Sequence, residues 1–372
     1  MEELVIQPAF WKDRRVLLTG HTGFKGSWLA MWLQSMGARV IGYALPPGTQ
    51  PNLFELAGLA RQMVSIFADI RDPERLRRAF TDYQPEVVFH LAAQALVLRS
   101  YADPVETYSS NVMGTVNLLE AVRQAPGVRA VVVVTSDKCY DNREGEAHRE
   151  SDPLGGCDPY SSSKGCVELV TAAYRASFFR PADPAGHGAA VATARAGNAI
   201  GGGDWSPGRL IPDAIRAFVD QRPLPVRHPQ AIRPWQHVLE PLAGYLLLAE
   251  QLCKKGAPFT EAWNFGPSDQ HRVEQVIDKL AGLWGEEAPW FSDQASHPQE
   301  AHCLRLDASK AISALGWQPR WSLDTTLRMT VDWYRAHLSG ADIDAISRQQ
   351  IDRYCRECCR EYSRDSGNPF VT

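Results

Sequence analysis

The chain has no surplus of either charge. Its 39 Lys and Arg nearly balance 43 Asp and Glu, for a net charge of −4. No basic block stands out, which argues against a nucleic-acid footprint. The sequence lacks any apolar run of the roughly 18 residues that a bilayer-crossing helix needs. The longest candidates are interrupted by charge, Gly or Pro. Met1 to Gln7 holds two glutamates and no basic n-region, so no secretory signal is read there and the cytoplasm is the expected location. There is no internal repeat and no low-complexity linker. Eight cysteines are mostly scattered, and buried thiols are expected rather than disulfides. Cys355, Cys358 and Cys359 cluster near the C-terminus, but no second Cys/His pair lies close by in sequence. A closed zinc site takes four ligands, so no metal is expected.

What is present fits a large soluble core. The 372 residues are 44% apolar and 22% charged, enough for two lobes. Val16-Leu17-Leu18 reads as a short strand. It stops at a glycine turn, Gly20-His21-Thr22-Gly23-Phe24-Lys25-Gly26, followed by a helical stretch from Ser27 to Met36 and a second strand from Ala38 to Tyr43. Strand, glycine turn, helix, strand is the first unit of a dinucleotide fold. Gly20 permits the tight turn, Gly23 lets the backbone approach a pyrophosphate, and Gly26 lets the helix pack close. The free N–H groups of the new helix face the phosphates. An acidic residue for the ribose is expected about 20 residues on, yet the strand ends Gly42-Tyr43-Ala44-Leu45-Pro46. His21 and Lys25 are the alternatives for a ribose or phosphate, which leaves NAD and NADP both open.

Further strands are read at Val87 to Leu91, Ala130 to Val134 and Ala190 to Ala194, each near-continuously apolar as a parallel sheet requires. Helices are expected over roughly 104–124, 158–178, 240–253, 273–284 and 325–337. Asp72 before Pro73 reads as a helix cap. His90 reads as a packed histidine. The central strand runs into Thr135-Ser136-Asp137-Lys138. A hydroxyl, a carboxylate and an amine at the carboxyl edge of a sheet are costly to bury without purpose. Downstream, Tyr160 and Lys164 are four apart and share one helix face. A phenol titrates near pH 10. A neighbouring ammonium, with a positive nicotinamide, lowers that value and lets the phenolate take a hydroxyl proton as hydride leaves the same carbon. Arg209 and Arg233 are candidates for a diphosphate, since guanidinium forks match phosphate oxygens.

The G-x-x-G-x-x-G turn, the Asp69-Ile70 pair, Ser136 lying 24 residues before Tyr160, and Tyr160-x-x-x-Lys164 together resemble the extended short-chain dehydrogenase/reductases that act on nucleotide sugars. The resemblance covers about residues 12 to 335. It implies an α/β fold, a Rossmann-type doubly wound parallel sheet with a smaller C-terminal substrate-binding lobe. The cofactor part would span 12–196 plus about 234–262, the sugar-nucleotide lobe about 197–233 and 263–340. Residues 341–372 are expected as a polar extension, a helix with a frayed tail. The resemblance puts Asp69 and Ile70 at an adenine, and Leu91, Ala92 and Ala93 under the cofactor. Asn111 would support the active-site backbone. Gln94, Asn198, Arg209, Arg233 and His237 would contact substrate.

Ser136-Asp137-Lys138, with the His-Thr-Gly-Phe-Lys-Gly string, resembles the CDP-glucose 4,6-dehydratases, where Lys replaces the Glu of the dTDP-glucose enzymes. The implied reaction, with CDP-glucose as substrate, is C4 oxidation with Tyr160 as base, removal of the C5 proton by Lys138, protonation of the leaving 6-hydroxyl by Asp137, and hydride return to C6. Lys138 needs a free amine for this, and Asp137 must be protonated. Another nucleotide-sugar dehydratase or epimerase is the alternative on the same fold. A non-catalytic nucleotide sensor is the alternative of another class. The helices near 104–124 and 158–178 are the pair such enzymes use to dimerise, which implies a homodimer or a dimer of dimers.

Overall fold

Alternation along the first strand sets the layering. In β1 (Arg15–Thr19), Val16 and Leu18 face one side of the sheet and Leu17 the other, and all three are buried. Both faces are therefore covered, as expected of a parallel sheet. The other strands are β2 (Arg39–Ala44), β3 (Val64–Phe67), β4 (Val87–His90), β5 (Ala130–Val134), β6 (Ala190–Ala196) and β7 (Ala262–Phe265). They lie in the order β7-β6-β5-β4-β1-β2-β3 and every pairing is parallel. The computed structural model describes residues 6–141, 146–180, 187–267, 269–285, 289–295 and 303–365, with side chains described to residue 357.

The strand order reverses between β1 and β4, the point at which doubly wound sheets bind ligands. Helix α1 (Phe24–Ser35) enters there and is buried at every residue from Gly26 to Leu33. A helix apolar all round belongs inside. On the opposite face lie α2 (Pro73–Tyr83), α3 (Gly114–Arg123) and α4 (Pro159–Ser177), whose Leu76, Leu118, Leu119 and Val167 pack on Leu17, Val88 and Val131. Helix α5 (Leu239–Lys255) is buried continuously from Leu239 to Leu252 and packs with α1. The single helix expected over 104–124 is instead three pieces. A helix at Pro104–Tyr108 passes through a π turn at Ser109–Met113 into α3. Such widened turns occur at functional sites, and this one holds Asn111.

Between and beyond these elements, three short strand pairs build a smaller layer. Ala199–Ile200 joins Gln236–His237, Ile232–Arg233 joins His271–Arg272, and Leu224–Val226 joins Trp290–Ser292. Helix α6 (Leu323–Leu338) braces this layer: the Tyr334 hydroxyl donates to the Asp204 carbonyl at 2.5 Å.

Helix α7 (Ile343–Asp365) is more than an appendage. Ile343, Ser347, Ile351 and Tyr354 are buried along one stripe. The Tyr354 hydroxyl donates to Glu240 Oε2 at 2.6 Å, and the Trp333 indole donates to Ser347 Oγ at 2.9 Å. The expected tail at 366–372 lies outside the described residues, as do the side chains of Cys358 and Cys359. Among the described residues no helix is long and apolar enough to cross a membrane.

Candidate active site

The glycine turn meets the end of β4 at close quarters. Gly20 has φ +77°, and a Cβ on it would lie 2.7 Å from the Ala92 nitrogen. A Cβ on Gly26 would run into the Gly20 carbonyl. Only glycine fits either position. Thr19 fastens the two turns: its hydroxyl accepts from the N–H groups of Leu91 at 3.2 Å and Ala92 at 3.1 Å. His90 lies behind, with Nδ1 2.7 Å from Thr19 Oγ1 and Nε2 3.1 Å from Thr115 Oγ1. Burial lowers its pKa to about 3, so it is neutral packing, as its strand position suggests. Further out, Ile70 is buried and its carbonyl accepts from Asn117 Nδ2 at 3.1 Å. The Asp69 carboxylate is held by Arg71 at 2.5 Å and is lowered chiefly by that contact.

This cradle fits a dinucleotide. Two glycine positions admit no side chain, alanines line the adjoining turn, and Asp69 with Ile70 lies at the end of β3. No carboxylate ends β2.

Beyond β5 the polypeptide carries the reactive groups. Ser136 caps the short turn Asp137–Cys139, donating to Asp137 Oδ1 at 2.9 Å and accepting from the Lys138 nitrogen at 3.3 Å. Asp137 is 3% exposed, and its Oδ2 is buried with no partner among the described residues. Burial raises its pKa, against the pull of Lys138, the Ser136 hydroxyl, Arg233 and Lys25. Lys138 is only partly buried beside it.

Tyr160 and Lys164 come from α4. Asp158 caps this helix by accepting from the Ser161 N–H at 2.9 Å. Lys164 Nζ donates to the Val134 carbonyl at 3.2 Å, which pins the helix to the end of β5. Burial lowers Lys164 to about 8 and raises Tyr160 to about 12. The opposing influences on Tyr160 are the Ser136 hydroxyl and Arg209, not Lys164. Lys164 is not among the groups that draw the phenol down; its ammonium is held by the Val134 carbonyl.

Lys25 faces this centre. Burial, Arg209 and Lys164 push its pKa down to about 8, while Asp137 and Asp204 hold it up. Arg209 pairs with Asp204 at 2.9 Å. Arg233 is buried, donates to the Ile232 carbonyl at 2.9 Å, and acts on Asp137. Asn198 is partly buried, and its carbonyl accepts from the Gln236 nitrogen at 3.0 Å.

Three expected site residues are used otherwise. The His21 ring turns under the turn, packs on Gly42 and Phe54, and meets Ser65 Oγ at 3.0 Å; it is fully buried, with Nδ1 unpartnered among the described residues. Gln94 spends its amide on its own loop and on the helix Pro104–Tyr108: Nε2 donates to Leu96 O at 3.1 Å and Thr107 Oγ1 at 2.9 Å, and Oε1 accepts from Leu96 N at 2.6 Å. His237 is fully buried between Trp28 and Trp321, its Nδ1 accepting from Leu239 N at 3.3 Å. Asn111, by contrast, sits where a backbone support should. Its Oδ1 accepts from Gln94 N at 2.8 Å and its Nδ2 donates to Ser163 Oγ at 2.8 Å.

Sequence reasoning passed over Glu168 and Arg195. They form a buried ion pair at 2.9 Å directly beneath the reactive segment. The available signal was a glutamate four residues past Lys164 and a lone arginine inside the apolar run of β6.

A tyrosine–lysine pair, a buried carboxylate and an amine over a dinucleotide cradle define a nicotinamide-dependent enzyme of the short-chain dehydrogenase type. A sequence model of GDP-mannose 4,6 dehydratase matches residues 17–330, and the chain belongs to that family. It is 54% identical over 353 residues to the CDP-glucose 4,6-dehydratase of Salmonella typhimurium, covering 94% of this chain and 98% of that protein. It is 30% identical to a probable dTDP-glucose 4,6-dehydratase of Sinorhizobium fredii, over 86% of this chain and 92% of the other. Among solved structures it resembles a dTDP-glucose 4,6-dehydratase of Streptomyces venezuelae with NAD bound, at a TM-score of 0.74 and 27% identity, covering 88% of this chain and 98% of that one.

Proposed function

We propose that the chain converts CDP-glucose to CDP-4-keto-6-deoxyglucose, with NAD as its bound cofactor. The observation that carries the reading is the pairing of Asp137 and Lys138 after β5, within the same site as Tyr160 and Lys164. The 54% identity to a CDP-glucose 4,6-dehydratase supports the choice of sugar nucleotide. When held by the cradle around Gly20 and Gly26, NAD would supply the hydride acceptor for C4 and the hydride donor for C6.

The protein's own groups move the protons. Tyr160 takes the proton of the 4-hydroxyl, with Ser136 hydrogen-bonded to the same oxygen. The resulting ketone acidifies C5–H, and Lys138 removes that proton. Asp137 gives its proton to the departing 6-hydroxyl, which leaves as water. Burial already favours the protonated form of Asp137, as an acid in this position requires. Lys138 then returns its proton to C5. The proton gained by Tyr160 balances the one given by Asp137.

Arg209, Arg233 and Asn198 are assigned to the nucleotide-sugar diphosphate and sugar. Gly20, Gly23, Phe24, Gly26, Asp69, Ile70, Leu91, Ala92 and Ala93 are assigned to NAD. Lys25 is placed at the phosphates nearest the reacting centre. Residues 12–196 with 234–262 form the cofactor part, and 197–233 with 263–340 the sugar-nucleotide part. A second copy is expected on the apolar groove of Val105, Tyr108, Val112 and Met113 beside Cys166, where Val105 is 78% exposed.

The test is incubation with CDP-glucose, dTDP-glucose or UDP-glucose and NAD, following 4-keto sugar and 340 nm absorbance together. Keto product from CDP-glucose with no lasting absorbance is expected. Bound cofactor with no keto product from any of the three would overturn the reading.

A further inference from the structure

The reactive segment Thr135–Tyr140 is gripped at both ends by one buried pair of charges. Glu168 is 4% exposed and Arg195 3%. Glu168 Oε1 accepts from Thr135 Oγ1 at 2.5 Å, at the start of the segment. Its Oε2 accepts from Thr193 Oγ1 at 2.7 Å and Arg195 Nη2 at 2.9 Å. Arg195 Nη1 in turn donates to the Tyr140 hydroxyl at 2.7 Å, at the end of the segment. Between the two grips lie Ser136, Asp137 and Lys138.

The pair joins three parts of the molecule. Glu168 stands one turn beyond Lys164 on α4, so its carboxylate ties the helix of Tyr160 and Lys164 to the strand that carries Thr135. Arg195 lies in β6, next to β5 in the sheet. Its Nη1 also reaches the Glu150 carbonyl at 3.1 Å. The Tyr140 hydroxyl donates to Asn264 Oδ1 at 2.7 Å, and Asn264 Nδ2 donates to the His148 carbonyl at 2.9 Å. The Tyr140 ring stacks on His148 with centroids 4.6 Å apart.

A buried ion pair is a poor source of net stability, because desolvation offsets the attraction. In a low-dielectric interior each bond of such a network is costly to lose, so the network fixes the geometry of the groups it joins. Here each Glu168 oxygen has a partner and the two Arg195 terminal nitrogens reach Glu168, Tyr140 and Glu150, while Arg195 Nε is buried with no partner among the described residues. No substrate or cofactor group need touch either residue.

We propose that Glu168 and Arg195 are positioning residues that hold Asp137 and Lys138 in register with Tyr160 and Lys164, and so couple C4 oxidation to the elimination of water. This rests on the function proposed above. Oxidation uses Tyr160 and Lys164 of α4 with Ser136 assisting, whereas elimination rests wholly on Asp137 and Lys138 of the gripped segment. Loosening the grip moves the second set relative to the first. A displacement near 1 Å is enough to cost roughly 10²-fold in rate.

Two variants separate positioning from folding. Tyr140→Phe removes one grip without touching a charge. E168Q/R195Q removes both charges and spares the fold an unpaired guanidinium. Thermal unfolding and NAD binding verify that each is folded and loaded. With CDP-glucose, both should oxidise C4 but eliminate water slowly. Reduced cofactor then accumulates at 340 nm, and keto product forms about 10- to 100-fold more slowly than in the wild type.

The pH profile gives a second readout. Lys164 faces Glu168 on its own helix, Cys139 beside the reactive turn, Lys25 on α1 and His90 in β4. Glu168 is the carboxylate that holds the lysine up, so its neutralisation should move the alkaline limb of turnover to lower pH in E168Q/R195Q and leave it in place in Tyr140→Phe. Parallel loss of oxidation and elimination, with an unmoved limb, would overturn the inference and leave the function standing. Wild-type protein that forms no keto sugar would overturn the function itself.

Discussion

The two sides of the switch point are built on opposite principles. On the β1 side, shape does the holding. Gly20 and Gly26 leave no room for a Cβ, α1 is buried from Gly26 to Leu33, and even His21 is packed away. On the β5 side, charge does it. Asp137, Lys164, Glu168 and Arg195 are all nearly fully buried, in the turn after β5, in α4 and in β6. A cofactor that stays through the cycle is served by a rigid apolar cradle. Proton transfers need groups whose pKa values are moved from their ordinary range, and burial moves Asp137 and Tyr160 up and Lys164 down. The contrast teaches that binding and chemistry here draw on different physics and should fail separately.

Substitutions on either side test that separation. Tyr160→Phe should lower turnover by roughly 10²–10⁴-fold, the usual worth of a positioned acid or base, while NAD affinity stays near wild type. Stopped-flow absorbance at 340 nm and a cofactor titration measure the two; full activity would remove Tyr160 as base. Gly26→Ala should do the reverse. Its Cβ meets backbone rather than a movable side chain, so the turn must open and NAD affinity must fall, by a margin that equilibrium binding can read. Unchanged affinity would show that the cradle tolerates a shift.

A buried carboxylate far from the chemistry gives a smaller effect. Glu240 accepts from Tyr354, Arg320 N and Trp321 N, and burial raises its pKa to about 7 from 4.5. Between those values the folded state holds a proton that the unfolded state has lost. Stability contributed by this site is therefore intact below pH 4.5 and declines as pH rises to 7, by about 3 kcal/mol in all. Glu240→Gln should flatten that part of the pH–stability curve in urea melts. An identical slope in the variant would assign the titration elsewhere. Smallest in its effect on a single site should be Val105→Glu. A charge in the apolar groove is expected to split the dimer proposed above, as light scattering would show, with little change in NAD binding.

Much of this was legible beforehand, for reasons that differ by region. The strands β1, β4, β5 and β6 are continuous apolar runs, and the glycine turn has a spacing that few other structures require. Tyr160 and Lys164 announce themselves by sharing a helix face. What could not be read was direction. His21, Gln94 and His237 are polar residues in plausible places, but their side chains turn into packing or into their own loops, and one sequence does not say which way a side chain turns. Glu168 and Arg195 looked like ordinary charges, because their meaning depends on two elements meeting. The C-terminal helix read as polar, since its buried stripe of Ile343, Ser347, Ile351 and Tyr354 includes a serine and is outnumbered by charge.

The central claim is that hydride leaves C4 and returns to C6 while Lys138 handles the C5 proton. CDP-glucose carrying deuterium at C4 tests it most directly. The product should carry that deuterium at C6, and in D2O unlabelled substrate should gain deuterium at C5 to the extent that the Lys138 ammonium exchanges with solvent before it returns a proton. Deuterium retained at C4, or lost to solvent, would contradict the account.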